Sequence, residues 1–493
     1  MFGILAQSNS FGQGYNHHWL LGSWLFYQDP KGRILFDSSS YTLINEQRKM
    51  VFWGTEGNIS DANGNFLMSS NGIWIANSTN DTMMNGSGLN PGSFVNSWPY
   101  AMPLIANNIF LTYPNDTTKY ILFHQTNTTN DVPSNELYYS VIDIGLDGGL
   151  GGIILKNILV YSDSLSYGLS ACKHANGRDW WVVAMRDSSD IIKVTLLTDS
   201  GVNNTGTQAL NFLPYPGGNA MQPTFSQDGT KFITNTYDDP VNRNSSIVIA
   251  DFDRCSGIFS NTQTLQLVSG DYLWGLAFSP SGQYAYACSN AYVFQVDVNT
   301  LSVDTVAIYD GFISPPTSGC CPSTFFNMYL AANGKIYITS GSTAQHLHVI
   351  NYPDSVGLAC DVQQHAINLG YGQLGAVPNH PNYYLGCDTT LGCACLVNVG
   401  TNEIGVHDFN YRLSPNPVTS NYLHIGYQLP QNQPGTFQVM DITGKIVFTY
   451  HLPQWSNEQS LSLPQLCEGL YIGVITSGTY RANKKFAVIS SHK

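Results

Sequence analysis

The sequence predicts an all-β chain with two domains. Only 11% of its 493 residues are charged, whereas it contains 46 glycines and 29 tyrosines. This composition favours short strands and tight turns over helices, whose exposed faces are usually rich in Lys, Glu and Arg. A strand–turn–strand unit recurs through most of the chain, and the pattern changes after residue 410. We therefore expect one large repeat domain followed by a smaller one.

The repeat has a steady period. Its clearest copy is 272–290, in which two aromatic strand segments flank the turn SPSG. Equivalent turns end at Gly177, Gly229, Gly282 and Gly334, so the intervals between them are 52, 53 and 52 residues. A turn and an aromatic strand at the same phase every ~50 residues are typical of the four-stranded blades of a β-propeller.

Weaker copies extend the repeat in both directions. They lie at 61–64, 114–116 and 378–382, the last being incomplete. Seven phases result, and the N-terminal strand segments at 17–23 and 33–37 are available to close the last blade, which would leave no long sheet edge exposed. The sequence therefore predicts a seven-bladed β-propeller over residues 16–410, with six or eight blades as the alternatives.

Both termini have distinct patterns. Residues 1–15 resemble the remnant of a signal peptide and a lead-in, although the basic start and most of the apolar core are missing. Residues 411–493 contain short alternating strands with turn signals, which predicts a small Ig-like β-sandwich.

Charge and cysteine content restrict the partners. The net charge is -13 and no basic run precedes Lys484 and Lys485, so nucleic acid is a poor partner. No apolar segment is long enough to serve as a transmembrane segment. Ten cysteines, several of them late in the chain, suit an exported protein with disulfides, although a soft-metal or redox role for Cys393 and Cys395 or for Cys320 and Cys321 stays open.

Four motifs occur in order in the tail: SPNP at 414–417, MDITGKIV at 440–447, LCEGLYIGVI at 466–475 and KKFAVI at 484–489. Together they resemble the C-terminal sorting domain of the type IX (Por) secretion system of Bacteroidetes-type bacteria. The resemblance implies export across the outer membrane, with the tail read by the translocon and removed as the cargo is released or attached to the surface. It also implies a sorting signal at Pro415, Asn416, Pro417, Gly444, Gly469, Tyr471, Lys484 and Lys485. The repeat part is similar to uncharacterised surface propellers with the same tail, which brings no known activity.

The repeat phase predicts a ligand site at one mouth of the propeller channel. Residues just before each inner strand are expected around that mouth, and these are Tyr100, Tyr167, Met221, Trp274 and Phe326. Aromatic rings there could stack on sugars or hold a peptide. The alternative is that they pack between neighbouring blades.

Other candidates carry weaker signals. His346 and His348 share one strand face but lack further ligands, so we predict no metal and no cofactor. Glu56, Asp271 and Asp310 are acids near predicted channel-side loops. The chain has neither a G-x-S-x-G nor an H-E-x-x-H motif.

The predicted function is therefore that of a secreted or cell-surface module that binds a glycan or protein. An extracellular polysaccharide hydrolase or lyase on the same scaffold is the alternative, because two acids from different blades can meet without a local motif. A structural surface component without a small ligand is a third possibility.

Overall fold

The computed structural model describes residues 14–23, 30–36, 40–127, 134–214, 222–239, 244–267, 270–315, 321–375, 377–396, 411–419, 422–427, 429, 434–452, 458–477 and 480–489. Its elements are almost all β-strands, which confirms the predicted all-β class. The helical elements among these residues are a four-residue helix, α1 (Ser93–Asn96), and short 3-10 turns at Asp147–Gly149, Gly357–Cys360 and Thr389–Leu391.

The first sheet is antiparallel and has three strands in the order β1 (His18–Leu21), β2 (Lys31–Phe36) and β3 (Tyr41–Glu46). All residues of β1 are buried, whereas β3 is largely exposed and lies at the outer edge.

An eleven-stranded sheet follows. Its strands are β4 (Gly57–Ser60), β5 (Phe66–Ser70), β6 (Trp74–Ala76), β7 (Thr82–Ser87), β8 (Asn108–Thr112), β9 (Lys119–Thr126), β10 (Ser134–Asp143), β11 (Gly152–Lys173), β12 (Trp180–Arg186), β13 (Ile191–Thr198) and β14 (Gly201–Ala209). The 22-residue strand β11 pairs with β10 through its first part and with β12 through its last part. A single parallel pair, Met84 with Gly152, joins β7 to β11.

Three further antiparallel sheets have four strands each, in sequence order. They consist of β15 (Thr224–Phe225), β16 (Lys231–Asp239), β17 (Asn244–Asp253) and β18 (Ile258–Leu267); β19 (Gly275–Phe278), β20 (Tyr284–Cys288), β21 (Tyr292–Asp297) and β22 (Val303–Ile308); and β23 (Met328–Leu330), β24 (Ile336–Ile338), β25 (Ala344–Ile350) and β26 (Val362–Gln373).

The first strands of successive groups lie side by side in chain order. β1 contacts β4, β4 contacts β8, β8 contacts β11, β11 contacts β15, β15 contacts β19, and β19 contacts β23. The last group returns to the first, because β26 contacts β2 and the amide of Ser23 donates to the carbonyl of Gly372 at 2.9 Å. The first strands therefore form a nearly closed ring, and the hydrophobic clusters lie between neighbouring sheets.

The turn glycines have the conformation that the repeat requires. Gly177, Gly229, Gly282 and Gly334 all have φ between 72° and 79°, which L-residues with a Cβ adopt at a cost. At Gly229 the packing adds a second requirement, since a Cβ there would lie 2.5 Å from the sulfur of Cys172.

Residues 377–396 depart from the repeat. In the repeat pattern, the turn at 378–382 would be followed by a strand at 383–385, but this segment contains no strand and instead runs alongside the first strands of other sheets. The side-chain amide of Asn379 donates to the carbonyls of Leu169 (2.6 Å) and Ala106 (3.3 Å), and the hydroxyl of Tyr383 donates to the carbonyl of Phe110 (2.7 Å). These polar contacts and its buried tyrosine fix the segment at the centre of the ring.

The segment is also fixed at its far end. Arg254, which is 2% exposed, donates from Nε to the carbonyl of Lys173 (2.9 Å) and from Nη2 to that of Gly386 (2.7 Å). Disulfides join Cys255 to Cys393 and Cys387 to Cys395. Three of the late cysteines, Cys387, Cys393 and Cys395, therefore form disulfides as the sequence predicts, and the fourth partner is Cys255 from the middle of the chain.

The tail forms two antiparallel sheets around one core. One sheet has the order β27 (Tyr411–Ser414), β28 (Tyr422–Tyr427), β31 (Glu458–Ser462), and the other β30 (Ile446–Leu452), β29 (Gly435–Met440), β32 (Gly469–Ser477), β33 (Tyr480–Val488). Alternating residues of β28 and β29 are buried, as expected for strands with one face on a core.

Candidate functional site

Three of the five aromatic or apolar residues predicted at the channel mouth meet in the structure. Tyr167, Trp274 and Phe326 pack against Ile105 and Ala106, in the segment that leads into β8. The three large side chains come from β11 and from the residues before β19 and β23, and each remains partly exposed.

Two further tyrosines extend this group. The ring centroids of Trp274 and Phe326 are 5.0 Å apart, those of Trp274 and Tyr272 are 6.2 Å apart, and those of Tyr272 and Tyr237 are 4.3 Å apart. We call these residues, together with Tyr167, the aromatic cluster. Offset and edge-on arrangements at such distances stabilise aromatic pairs.

Two carboxylates contribute to the raised pKa values of the cluster tyrosines. Burial raises the pKa of Tyr237 above its ordinary value, and the neighbouring Tyr272, Asp271, Tyr167 and Asp187 raise it further. Burial likewise raises the pKa of Tyr167, with a second contribution from Asp187. Asp187 and Asp271 therefore act on the same tyrosine from two different sheets.

The two carboxylates differ in their surroundings. Asp271 accepts hydrogen bonds from the side-chain amide of Asn290 (2.6 Å) and the backbone amide of Tyr272 (2.8 Å). Asp187 accepts one from the Ser188 hydroxyl (3.0 Å) through Oδ2, while its Oδ1 is buried without a partner among the described residues. Burial raises the pKa of Asp187, the neighbouring Ser188 and Ser166 lower it, and no cationic side chain contributes.

One polar atom of the aromatic cluster lacks a partner. The indole N–H of Trp274 is buried and has no acceptor among the described residues. Buried polar groups are nearly always hydrogen-bonded in proteins, so such groups at a partly exposed site mark a place for a ligand or water.

Of the other two predicted mouth residues, the structure describes Tyr100, which does not join the cluster. Tyr100 is 46% exposed and is not among the side chains that pack on Ile105 and Ala106. Met221 lies outside the described residues.

Of the three acids singled out by sequence, only Asp271 reaches the cluster. Glu56 is fully buried, and burial raises its pKa well above the ordinary value although Arg48 opposes the shift. Asp310 lies on an exposed loop, where its Oδ2 is 2.9 Å from Nε2 of His365. The three acids thus form no common site.

His346 and His348 are buried, whereas their position in an outer strand predicts exposure. Nδ1 of His346 lies 3.0 Å from the hydroxyl of Ser314, and Nδ1 of His348 accepts the amide of His365 at 3.0 Å. Burial lowers the pKa of His348 to about 4, with a second contribution from His365. Within the described ranges, no three His, Cys, Asp or Glu side chains are grouped to hold a metal ion.

The turn at 61–65 is stabilised by hydrogen bonds to the carboxylate of Asp61. Oδ1 of Asp61 accepts the amides of Asn63 (2.8 Å) and Asn65 (2.9 Å), and Oδ2 accepts the side-chain amide of Asn65 (2.8 Å). These bonds close a turn between β4 and β5, and the sequence likewise predicts a turn here.

The tail brings its first and last motifs together. The side-chain oxygen of Asn416 accepts the amide of Ala487 at 3.0 Å, and the amide of Val418 donates to the carbonyl of Ala487 at 2.7 Å. Nζ of Lys484 lies 5.8 Å from the ring centroid of Tyr411. The predicted sorting residues Pro415, Asn416 and Pro417, which follow β27, therefore lie beside β33, the strand that contains Lys484 and Lys485.

The remaining predicted sorting residues lie elsewhere in the tail. Gly444, with φ of 84°, closes the exposed turn after β29, and Gly469 begins β32. Tyr471 is 8% exposed and stacks on Phe486 with ring centroids 5.9 Å apart.

Comparison with known families assigns the tail. Residues 412–489 match the family model described as the secretion system C-terminal sorting domain. The tail is a type IX sorting domain. The protein is therefore exported by the type IX secretion system and is secreted or attached to the cell surface, which confirms the predicted localisation. None of the helices formed by the described residues has the length and apolarity needed to cross a membrane.

Solved structures offer only distant likenesses. A functionally unknown protein from Desulfotomaculum acetoxidans DSM 771 is 13% identical, with a TM-score of 0.40, 74% of this chain covered and 99% of that one. A hypothetical selenium-binding protein from Sulfolobus tokodaii is 9% identical, with a TM-score of 0.45 and coverages of 76% and 94%. No curated protein matches the sequence significantly.

Sequence reasoning missed Tyr237, Tyr272 and Asp187. Asp187 directly follows β12, and Tyr237 lies near the end of β16, so both mark the end of the second strand of their group. The equivalent position at the end of each second strand is therefore the sequence signal that points to Asp187 and Tyr237.

Proposed function

We propose that this protein is an exported seven-bladed β-propeller that binds an extracellular ligand, a glycan or a protein, at the aromatic cluster. In this proposal the tail is a small Ig-like sandwich that the secretion translocon recognises, so that the propeller is exported. The observation that carries the binding proposal is the convergence of partly exposed aromatic rings from several sheets around the unpartnered indole N–H of Trp274.

The strand pairing supports seven blades. The eleven-stranded sheet divides naturally into three units, namely β4–β7, β8–β10 with the first part of β11, and the last part of β11 with β12–β14. Together with the three-stranded sheet and the three four-stranded sheets this gives seven units, each beginning at the ring of first strands. We propose the domain limits that the sequence predicts, namely 16–410 for the propeller and 411–493 for the sorting domain.

The segment 377–396 supports binding at one end of the ring. Asn379 and Tyr383 bond to first strands, and the carbonyl of Ala175, in the turn after β11, accepts the amide of Asp388 at 2.8 Å. The segment thus fills the central space and continues past the far ends of the first strands. The aromatic cluster lies at the opposite ends, where the first strands begin, and a ligand would approach there.

A glycan-array screen tests the binding proposal. Native protein and Trp274→Ala are compared, with Tyr352→Ala as a control because Tyr352 is 61% exposed and outside the cluster. Loss of one aromatic contact of about 1 kcal/mol predicts an affinity about fivefold lower for Trp274→Ala. If Trp274→Ala bound every glycan as tightly as the native protein does, the aromatic cluster would not be the binding site. The absence of any glycan or protein ligand would also contradict the proposal.

The tail is tested separately. Deletion of residues 411–493 should leave the propeller inside the cell, whereas Asn416→Ala, which removes the bonds between the SPNP and KKFAVI motifs, should reduce export. Thr419→Ala serves as a control on the same exposed stretch. Normal export of the deleted form would contradict the role of the tail.

One second candidate is a polysaccharide hydrolase or lyase. Glycoside cleavage needs two carboxyl groups at one sugar, and both Asp187 and Asp271 contribute to the raised pKa of Tyr237. Release of new reducing ends from a bound polysaccharide, abolished in Asp187→Asn, would favour this candidate over simple binding.

A further inference from the structure

We propose that Trp53 and Trp98 form a second subsite next to the aromatic cluster, and that the ligand is an unbranched, uncharged oligosaccharide that lies across both. This inference rests on the proposed binding function and names the chemistry of the ligand and the residues that hold its far end. It is carried by contacts that join the tryptophan pair to the aromatic cluster on two sides.

The two tryptophans come from separate segments and form a close pair. Trp53 lies shortly before β4 and Trp98 shortly after α1, and their ring centroids are 4.5 Å apart with the ring planes at 65°. This edge-on arrangement is one that aromatic pairs prefer. Both side chains are only partly buried, so the pair contributes to the surface.

A buried amide holds the two segments together. Asn71, which is 0% exposed, donates from Nδ2 to the carbonyls of Val51 (3.1 Å) and Tyr100 (2.9 Å). Val51 lies just before Trp53 in the chain, and Tyr100 just after Trp98. The tryptophan pair is therefore positioned before any ligand arrives, which lowers the entropic cost of binding.

One connection to the aromatic cluster runs through the segment before β8. The carbonyl of Gly54, next to Trp53, accepts the amide of Ala106 at 3.3 Å, and Ala106 is part of the floor on which the cluster packs. Trp98 and Tyr167 also pack on one buried group. That group consists of Phe94, Met102 and Leu104. Tyr167 thus belongs to the cluster and also contacts the group that supports Trp98.

A second connection passes Gly375. A Cβ at this position would lie 3.0 Å from the Phe326 ring and 3.9 Å from the carbonyl oxygen of Trp53. The amide of Gly375 donates to the carbonyl of Ser340 (3.1 Å), and its carbonyl accepts the hydroxyl of Thr339 (2.9 Å), so the glycine is held in place. A larger residue would press on the Phe326 ring, whereas glycine leaves that ring open towards the Trp53 segment.

The arrangement favours an uncharged glycan as the occupant. Each sugar unit of an unbranched glycan has an apolar face, so the chain can meet successive aromatic rings, whereas a peptide offers such faces only at particular side chains. The buried indole N–H of Trp274 has no acceptor among the described residues, and a sugar oxygen can accept it. The net charge of -13 disfavours uronic acids and sulfated sugars.

The experiment varies the length of the glycan. Linear oligomers of glucose, mannose and N-acetylglucosamine, each as a disaccharide and a hexasaccharide, are titrated by calorimetry into the full-length native protein and into Trp98→Ala. We expect one hexasaccharide to bind about tenfold more tightly than its disaccharide, because it reaches both subsites. Trp98→Ala should lower the hexasaccharide affinity about fivefold and leave the disaccharide affinity unchanged.

Two variants separate ring contact from structural support. Trp98→Phe keeps an aromatic ring and should retain most of the hexasaccharide affinity, and Tyr352→Ala, at a position that is 61% exposed, should match the native protein. Equal losses of hexasaccharide and disaccharide affinity in Trp98→Ala, together with a lower melting temperature, would show that Trp98 only supports the fold and would overturn the second subsite.

The remaining outcomes are separable from those of the binding proposal. A hexasaccharide affinity that Trp98→Ala leaves unchanged but Trp274→Ala lowers would overturn the second subsite and keep the aromatic cluster as a site. Binding of a peptide or an acidic glycan, but of none of these oligomers, would overturn the uncharged oligosaccharide. If no ligand of any kind depends on Trp274, the proposed function itself fails.

Discussion

The rings of Trp274 and Phe326 lie 5.0 Å apart although the residues precede the first strands of two different sheets. A repeat of 52 residues separates them in the chain, and the ring of first strands brings them together. Their contact therefore links the architecture to the candidate site.

A double-mutant cycle measures this contact. Trp274→Ala and Phe326→Ala should show a coupling of about 1 kcal/mol in the free energy of unfolding, since aromatic pairs of this geometry are worth about 0.5–1.5 kcal/mol. Urea denaturation of the two single variants and the double variant checks it. Phe448, in the core of the tail, is the control partner, and its cycle with Trp274 should show no coupling. Strictly additive effects for Trp274 and Phe326 would contradict the contact.

The turn glycines offer a matched pair for stability. Gly229→Ala and Gly282→Ala both place a Cβ at φ near 73°, but only at Gly229 would that Cβ meet Cys172 at 2.5 Å, Arg254 at 2.8 Å and Leu385 at 2.9 Å. At Gly282 the nearest atom is Ser226 Cβ at an ordinary 3.5 Å. Backbone strain should lower the free energy of unfolding of both variants by about 1–2 kcal/mol, and overpacking should lower that of Gly229→Ala by about 1–3 kcal/mol more. Equal losses in urea denaturation would mean that the central segment is not packed against this turn.

The two disulfides should contribute unequally to the free energy of unfolding. Cys255–Cys393 closes a separation of 138 residues and Cys387–Cys395 one of 8. The chain-entropy relation gives about 5 kcal/mol for the first and about 2.5 kcal/mol for the second. Paired Cys→Ser variants of each bond, unfolded by urea under non-reducing conditions, test the order. A larger loss on removal of the short loop would contradict it.

The buried carboxyl group of Glu56 should make the stability of the protein depend on pH. Burial raises its pKa in the folded protein well above the value of 4.5. A carboxyl group with a raised folded pKa binds its proton more tightly when folded, so its stabilising effect is present at low pH and is lost as pH rises from 4.5 through the folded pKa.

The variant Glu56→Gln should therefore match the native protein near pH 4 and become progressively more stable than it towards pH 8. Unfolding free energies across this range measure the difference, and Asp304→Asn should follow the native curve because its position is exposed. A constant difference between Glu56→Gln and native protein at all pH values would show that Glu56 does not carry the linkage.

The sequence predicts the elements that repeat and misses those that do not. The turns at Gly177, Gly229, Gly282 and Gly334 recur at one phase, and the structure gives all four a positive φ. The central segment has no such signal, because it is fixed by contacts such as that of Asn379 with Ala106, 273 residues away.

The candidate site likewise contains residues that the repeat predicts and residues that it does not. Tyr167, Trp274 and Phe326 follow from the phase of the first strands, whereas Asp187 and Tyr237 belong to second-strand ends whose position depends on how the sheets pack. The tail is recognisable because its motifs are contiguous in sequence. The ligand has no comparable signature in the chain.

The most direct measurement of the central claim is a crystal structure of the full-length protein with its tightest-binding glycan. The account predicts a sugar in contact with Trp274 and Phe326, with a polar group of the ligand within hydrogen-bond distance of Asp187 or the Tyr237 hydroxyl. A ligand bound at any other surface, with the aromatic cluster unchanged and unoccupied, would contradict it.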